Sequence, residues 1–226
     1  MTYALILAAW SIFGGGQHVE QHYTLTVPAA AQLRADTANG KISVTTGRPG
    51  SAVEVTVTKR ADTMSQVNAL RAEVSQRNNV VTLHAVYPNG CGSGSCGGEI
   101  SFAVVVPPHT ALDLRSSNGS LNADGLSADA LLETSNGSVS ASYTGFATVS
   151  RVSLSTSNGS VSLSLPASAR IGRVKMETSV GRIASDWPLR VDRTSYVGGS
   201  VDQTLSPHGA AISLATTNGS INLKKI

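Results

Sequence analysis

The residues best equipped for chemistry in this chain are few and widely spread. Cys91 and Cys96 sit in Asn89-Gly-Cys-Gly-Ser-Gly-Ser-Cys-Gly-Gly98. They fit a disulfide pinning a Gly-rich loop in an oxidising compartment, a two-thiol metal site, or two unconnected thiols. The metal reading finds no third or fourth ligand nearby, and a Cys91–Cys96 disulfide is the leading expectation. So short a loop adds on the order of 2 kcal/mol, which makes its role local. Glu133 and Glu177 are expected on one outward column, two coils and about 10 Å apart. That separation suits the two carboxylates of inverting glycoside hydrolysis. Two solvated surface charges are the plainer account, because Tyr143, Phe146, Trp187 and Tyr196 are too scattered to form a sugar platform. His18 and His22 are four apart in a segment that reads as extended, and a metal site there needs Glu20 or the distant His84. The Gly-rich stretches 14–16 and 90–98 lack the Lys and following helix of a phosphate loop. The expectation is therefore no catalytic, cofactor or metal site, and no enzyme.

The composition describes what must hold such residues. The chain has 226 residues, 41% of them hydrophobic but only 4% aromatic. An interior built from Val, Leu, Ile and Ala is narrow and regular, which leans towards an elongated fold. Charged residues are 14% with a formal net charge of +3, well under the usual quarter. The positives are scattered, with no basic stripe for a phosphate backbone, which argues against nucleic acid as a partner.

One unit recurs: Thr37-Ala-Asn39-Gly40, Ser116-Ser-Asn118-Gly119, Thr134-Ser-Asn136-Gly137, Thr156-Ser-Asn158-Gly159 and Thr216-Thr-Asn218-Gly219. Thr178-Ser-Val-Gly181 is the same unit without its Asn, and Tyr196-Val-Gly-Gly199 a degenerate copy. Alternating apolar residues precede each turn, as at Leu112 and Leu114 or Val152 and Leu154, and another follows it, as at Leu121 or Val161. Each unit reads as strand, Asn-Gly bend, strand, return, with Asn and Gly chosen for positive φ. Asn-Gly is also a hairpin signal, but the same order every 18–22 residues is what stacked coils require. The expected fold is all-β: a parallel β-solenoid of 18–22 residues per coil, with a less regular N-terminal β part containing one short helix. Stacking at about 4.8 Å predicts an amide ladder through Asn118, Asn136 and Asn158, and a hydroxyl column through Ser120, Ser138, Ser160 and Ser220. It also pairs Arg115 with Glu133 on adjacent coils. The Asn-Gly-Ser sequences match the N-glycosylation pattern, yet their amides belong to the ladder. The mixed columns do not resemble an ice-binding array.

Residues 1–16 are apolar, and the run from Ala4 to Phe13 is too short to span a bilayer. They read as an export or anchor remnant, or as a cap. Residues 17–226 read as one domain, with a front part at 17–108 and regular repeats at 109–226. In the front part, 22–27, 41–46, 52–59, 80–87 and 99–106 are expected strands. Asp62 to Arg77 is the expected helix, capped by Asp62 or Thr63, with Met64, Val67, Leu70 and Val74 on one face. Lys224 and Lys225 in the last strand read as a guard against edge pairing.

Val27-Pro-Ala29, Asn39-Gly-Lys-Ile-Ser-Val44 and Ala103-Val-Val-Val-Pro-Pro108, followed by the serial Thr-Ser-Asn-Gly units, give the chain over residues 20–226 a resemblance to the bacterial putative-adhesin family of unknown function. The resemblance implies a β-solenoid at the cell envelope or surface, outside the cytoplasm. It brings no catalytic residues. The expected role is a non-catalytic scaffold or adhesin-like module that binds a protein or glycan. The N-terminus is a candidate membrane attachment. Alternatives are a carbohydrate-active β-helix enzyme and a solenoid that self-associates through its ends.

Overall fold

In the computed structural model the structure describes residues 8–9, 16–27, 31–50, 52–88, 97–192 and 197–226. The Cys91–Cys96 loop, nearly all of segment 1–16, Pro28, Ala29 and Tyr196 lie outside them. The front part contributes β1 (Ala8–Ala9), β2 (Gln17–Leu25), β3 (Gln32–Asn39), β4 (Ile42–Thr46), β5 (Val53–Ala61), α1 (Met64–Ala69), β6 (Arg71–Arg77), β7 (Val80–Val86) and β8 (Glu99–Val106). Paired strands follow: β9 (Ala111–Asn118) with β10 (Leu121–Leu126), β11 (Ala130–Asn136) with β12 (Val139–Tyr143), β13 (Arg151–Asn158) with β14 (Val161–Leu165), and β15 (Ile171–Val180) with β16 (Ile183–Ser185). The chain ends with β17 (Gly199–Thr204), β18 (Ala210–Asn218) and β19 (Ile221–Lys225).

The fold is all-β, with two mixed sheets. One runs β1-β2-β5-β8-β4-β10-β12-β14-β19-β16 and the other β17-β15-β18-β13-β11-β9-β3-β7-β6. Along the bend side of the repeats the neighbours from β9 to β14 are parallel, Leu132 pairing with Leu114 and Leu154, and Val139 with Leu121 and Val161; the β10–β12 register slips once, between Ala123 and Leu126. A parallel solenoid describes this middle. It does not describe the ends, where β1, β2, β5 and β8 are successively antiparallel, as are β6 with β7 and β15 with β17.

Each strand buries every second residue, as period-two alternation dictates. Leu33, Leu83, Leu114, Leu132 and Leu154 from one sheet meet Ile42, Leu121, Val139, Val161 and Ile221 from the other, all fully buried. Each such side chain contributes about 1.5–3 kcal/mol. The core is aliphatic except near Phe102 and at Tyr143, which packs edge-on to Phe146 at 5.2 Å. Burial, with the Asp129 charge nearby, pushes the Tyr143 phenol well above its ordinary value.

Two expectations about local structure are corrected. The helix is short: Thr63 caps it, accepting from the Gln66 backbone N–H while its own N–H donates to Gln66 Oε1, and it stops at Leu70, whose backbone is extended. Only Val67 of its residues is buried. Val74 lies instead on β6, which forms a hairpin with β7 through the two-residue turn Asn78-Asn79, with Asn78 at φ 55°. The alternation of β6 and a turn residue able to adopt positive φ outweigh the four-residue spacing.

The second correction concerns coil order. The last coil, β18 and β19, does not end the stack; it lies between β13/β14 and β15/β16. Lys224 and Lys225 therefore do not guard an edge. The open edges carry other protection: β16 is three residues long, and β6 presents Arg71, Glu73 and Arg77 outward, charges of the kind that discourage edge pairing. Past the end of β16, Trp187, Leu189 and Val191 pack onto the core.

Candidate binding edge

The stack has two long edges, one made by the Asn-Gly bends and the other by the return loops. At the bend edge the amides form one polar chain. Asn118 Nδ2 donates to Asn39 Oδ1, Asn136 to Asn118, Asn158 to Asn136 and Asn218 to Asn158, at 2.8–2.9 Å. The neighbouring Gly N–H donates to the next coil's Asn carbonyl, as Gly137 does to Asn158 at 2.9 Å. The Asn residues are not among the positive-φ positions, so their use here is the ladder and not turn geometry. Gly is required by crowding: a Cβ at Gly137 would lie 2.3 Å from the Gly119 carbonyl oxygen, and one at Gly159 2.2 Å from that of Gly137.

The motif's Thr has a role that the sequence did not reveal. Thr134, Thr156, Thr178 and Thr216 are buried, and each donates its hydroxyl to the Gly carbonyl of the adjacent coil at 2.8–2.9 Å. Ser116 makes the same bond to Gly40 at 3.3 Å. Ser120, Ser138, Ser160 and Ser220 act through their backbone: their carbonyls accept from Ile42, Leu121, Val139 and Val161. No hydroxyl–hydroxyl bond joins them among the described residues. At the front end the hydroxyl of Tyr87 stands in for a further coil, donating to the Asn39 carbonyl at 2.6 Å and bonding Thr37 Oγ1 at 2.8 Å.

The sheet faces separate most of the candidate chemistry. Arg115 and Glu133 are register partners at 3.8 Å, and Arg115 also bonds Asp113 at 3.1 Å. Those carboxylates raise the Arg115 pKa. Asp36 beside Arg115 pairs with His84 at 2.5 Å, extending one outward column of alternating charge. Glu133 and Glu177 share this column, but Ser155 and Ala215 both stand between them. Three strand steps separate them by roughly 14 Å, beyond the separation that glycoside hydrolysis uses. His18 and His22 lie on β2, four residues apart along a strand, where His22 Nδ1 meets Thr56 Oγ1 at 3.0 Å; His84 is on the other sheet. No group of three metal-ligating side chains forms among the described residues.

The return edge differs loop by loop. Its connections span 107–110, 127–129, 144–150, 166–170 and 205–209. Three hollows open along it. The first, about 500 Å³, is lined by His109, Asp113, Asp129 and Arg151, with Asp129 Oδ1 accepting the N–H groups of Ser150 and Arg151 at 2.7 and 3.0 Å. The second, about 480 Å³, is walled by Thr144, Phe146, Val149, Pro166 and Ser168. The third, about 420 Å³, is walled by Ile171, Trp187, Leu205 and Ser206. Arg170 and His208 line both of the last two.

These two side chains are brought together by the inserted coil. To reach β18 from β17 the chain must pass over the start of β15, and it does so in 205–209. Leu205 N–H donates to the Gly172 carbonyl at 2.7 Å, and Ala210 N–H to that of Arg170 at 3.1 Å. The crossing is tight: a Cβ at Gly172 would fall 2.8 Å from the Gly209 carbonyl oxygen. Neither Arg170 nor His208 belongs to a motif or repeat column that could have singled it out in the sequence. Gly172 and Gly209, outside the repeat columns, were the only available sign of a close crossing.

A two-sheet stack of coils with an invariant bend edge and a variable loop edge defines a repeat-built β-scaffold. The chain belongs to the Toastrack DUF4097 family, whose profile matches residues 9–224. The sequence matches no curated protein. A crystal structure of a putative cell adhesion protein from Clostridium sporogenes ATCC 15579 is similar, with a TM-score of 0.62 at 16% identity, covering 92% of this chain and 99% of that one. A putative adhesin from Bacteroides fragilis NCTC 9343 aligns with a TM-score of 0.37 at 10% identity over 93% of this chain and 97% of its own.

Proposed function

We propose that this chain is a non-catalytic binding module of the cell envelope or surface, an adhesin-like scaffold that presents its return edge to a protein or glycan partner. The observation that carries the reading is the contrast between the two edges. The bend edge repeats the same bonds coil after coil, while the return edge varies in length and composition and holds the hollows. The name of the Clostridium sporogenes protein, whose fold this chain shares, supports a setting outside the cytoplasm. No helix among the described residues is long and apolar enough to cross a membrane.

The test is a sedimentation assay of purified chain with intact bacterial cells and isolated envelopes. Saturable co-sedimentation is expected, and replacing loops 144–150 and 205–209 with Gly-Ser linkers should abolish it while melting stays cooperative. Binding indifferent to both replacements would refute the return edge as the contact surface. A polysaccharide depolymerisation screen tests the non-catalytic part; turnover abolished by Glu133→Gln or Glu177→Gln would overturn it.

A further inference from the structure

We infer that the paired hollows around Arg170 and His208 form a subsite for an acidic oligosaccharide, one whose uronic-acid carboxylate is held by the Arg170 guanidinium and a ring N–H of His208. The inference rests on the return edge being the binding surface and names the ligand class of one place on it. Arg170 begins the approach to β15, and His208 lies in the loop that crosses above it. They stand where the 480 Å³ and 420 Å³ hollows meet. Each volume falls within the range of small-molecule pockets, roughly 300–1,000 Å³.

The lining chooses the ligand. No carboxylate side chain lines either hollow, and no described residue forms an ion pair with Arg170 or His208. A guanidinium and an imidazole N–H in hollows that no carboxylate side chain lines complement a negative charge. The planar guanidinium suits a carboxylate, which it can hold by two parallel bonds. A second cation borders the third hollow: Lys225 Nζ lies 5.1 Å from the ring centroid of Trp187, which lines that hollow. On either side of Arg170 and His208 the walls combine apolar surface with hydroxyls, the largely buried Phe146 with Thr144 and Ser168 in one hollow, the partly exposed Trp187 with Ser206 in the other. Apolar rings beside hydroxyls match the amphipathic faces and hydroxyl edges of sugar rings. Two such hollows with the charge between them fit a chain of sugars carrying a carboxylate on a central unit. A lone inorganic anion would use Arg170 and His208 and leave both walls idle.

The experiment is calorimetric titration of the full chain with oligomers of galacturonate, mannuronate and glucuronate, and with the same oligomers after carboxyl reduction. At least one acidic oligomer should bind, with affinity falling about tenfold or more on reduction. Arg170→Gln should weaken that binding about tenfold or more, and His208→Gln should weaken it measurably. Both side chains are exposed, so both variants should melt with the parent, and the second decides if the first does not. No binding by any oligomer, equal binding of the reduced forms, or affinity untouched in both variants would overturn the proposal. So would Arg170-dependent binding of inorganic phosphate or of phosphatidylglycerol vesicles at equal or greater affinity. Loop-dependent co-sedimentation with cells that persists in Arg170→Gln would sink this subsite and leave the broader reading standing.

Discussion

The bend edge and the return edge join the same strands, yet they are built on opposite rules. At the bend every position answers to the coil beside it. Thr caps a neighbour's Gly carbonyl, Asn continues the amide chain, and Gly makes room for a backbone that touches its own. A change there is felt by the next coil, because each coil is both partner and template for it. At the return edge each loop needs only to deliver the chain to the start of its next strand. Loop 127–129 does this in three residues and 144–150 in seven. The difference teaches where variation is tolerated, and so where a binding surface can be assembled without unstacking the scaffold.

The sharpest way to break this comparison is to add one methyl group on each side of it. Gly159→Ala places a Cβ 2.2 Å from the Gly137 carbonyl oxygen at a φ of 152°. The obstacle is backbone held on both sides, so the loss should reach about 3 kcal/mol or more. Gly145→Ala, in a return loop, meets only the Ser127 Cβ at 3.3 Å, and should cost under about 1 kcal/mol. Chemical denaturation of the two variants checks this. Similar losses in both would mean that the edges are equally constrained.

A smaller effect should separate two threonines. Thr156 is buried and donates to the Gly137 carbonyl at 2.8 Å, whereas the exposed Thr148 donates to the Ser127 carbonyl at 3.1 Å in a return loop. Thr156→Val keeps the shape but leaves a buried carbonyl short of a donor, for a loss of about 1–2 kcal/mol. At Thr148 water replaces the lost hydroxyl, and Thr148→Val should change stability by less than about 0.5 kcal/mol. Urea midpoints of the two variants measured side by side would show whether the motif's Thr holds the stack or merely fills it.

How much of this was legible follows from the same contrast. The repeat columns could be read because stacking imposes one pattern on every coil; the partners of Leu132, Asn136 and Glu133 follow from aligning the turns. Coil order could not be read that way, because coils that share a pattern fit one another in any sequence. The hollows of the return edge were hidden for that reason, since the crossing that joins Arg170 to His208 exists only through the inserted last coil. The helix was overextended because Leu70 and Val74 suit a four-residue spacing as well as an alternation. One signal of coil order was nevertheless present. The intact unit Thr216-Thr-Asn-Gly219 suits a place beside other intact units, and Thr178-Ser-Val-Gly181, without its Asn, suits the end of a ladder.

Val180 is where that signal can be tested, and where the smallest effect is expected. It faces Asn218 in register, is 49% exposed, and takes the last place in the amide column. Asn218 Nδ2–H donates to Asn158 Oδ1, which leaves Asn218 Oδ1 as the terminal acceptor of a chain whose donors all point the same way. Val180→Asn would set a further Nδ2 against that oxygen, while Val180→Asp would set a carboxylate there with no proton to give. Both substitutions forfeit the strand preference of Val, which is worth up to about 1 kcal/mol, so the parent is a poor reference and the two variants should be compared with each other. The Asn variant should be the more stable by roughly 1 kcal/mol, one hydrogen bond at a partly exposed site. Adding Asn218→Ala to each should erase the gap, because the acceptor is then gone from both. A gap that survives Asn218→Ala would mean that the ladder does not extend to this coil, and that Val180 marks a change of edge rather than its end.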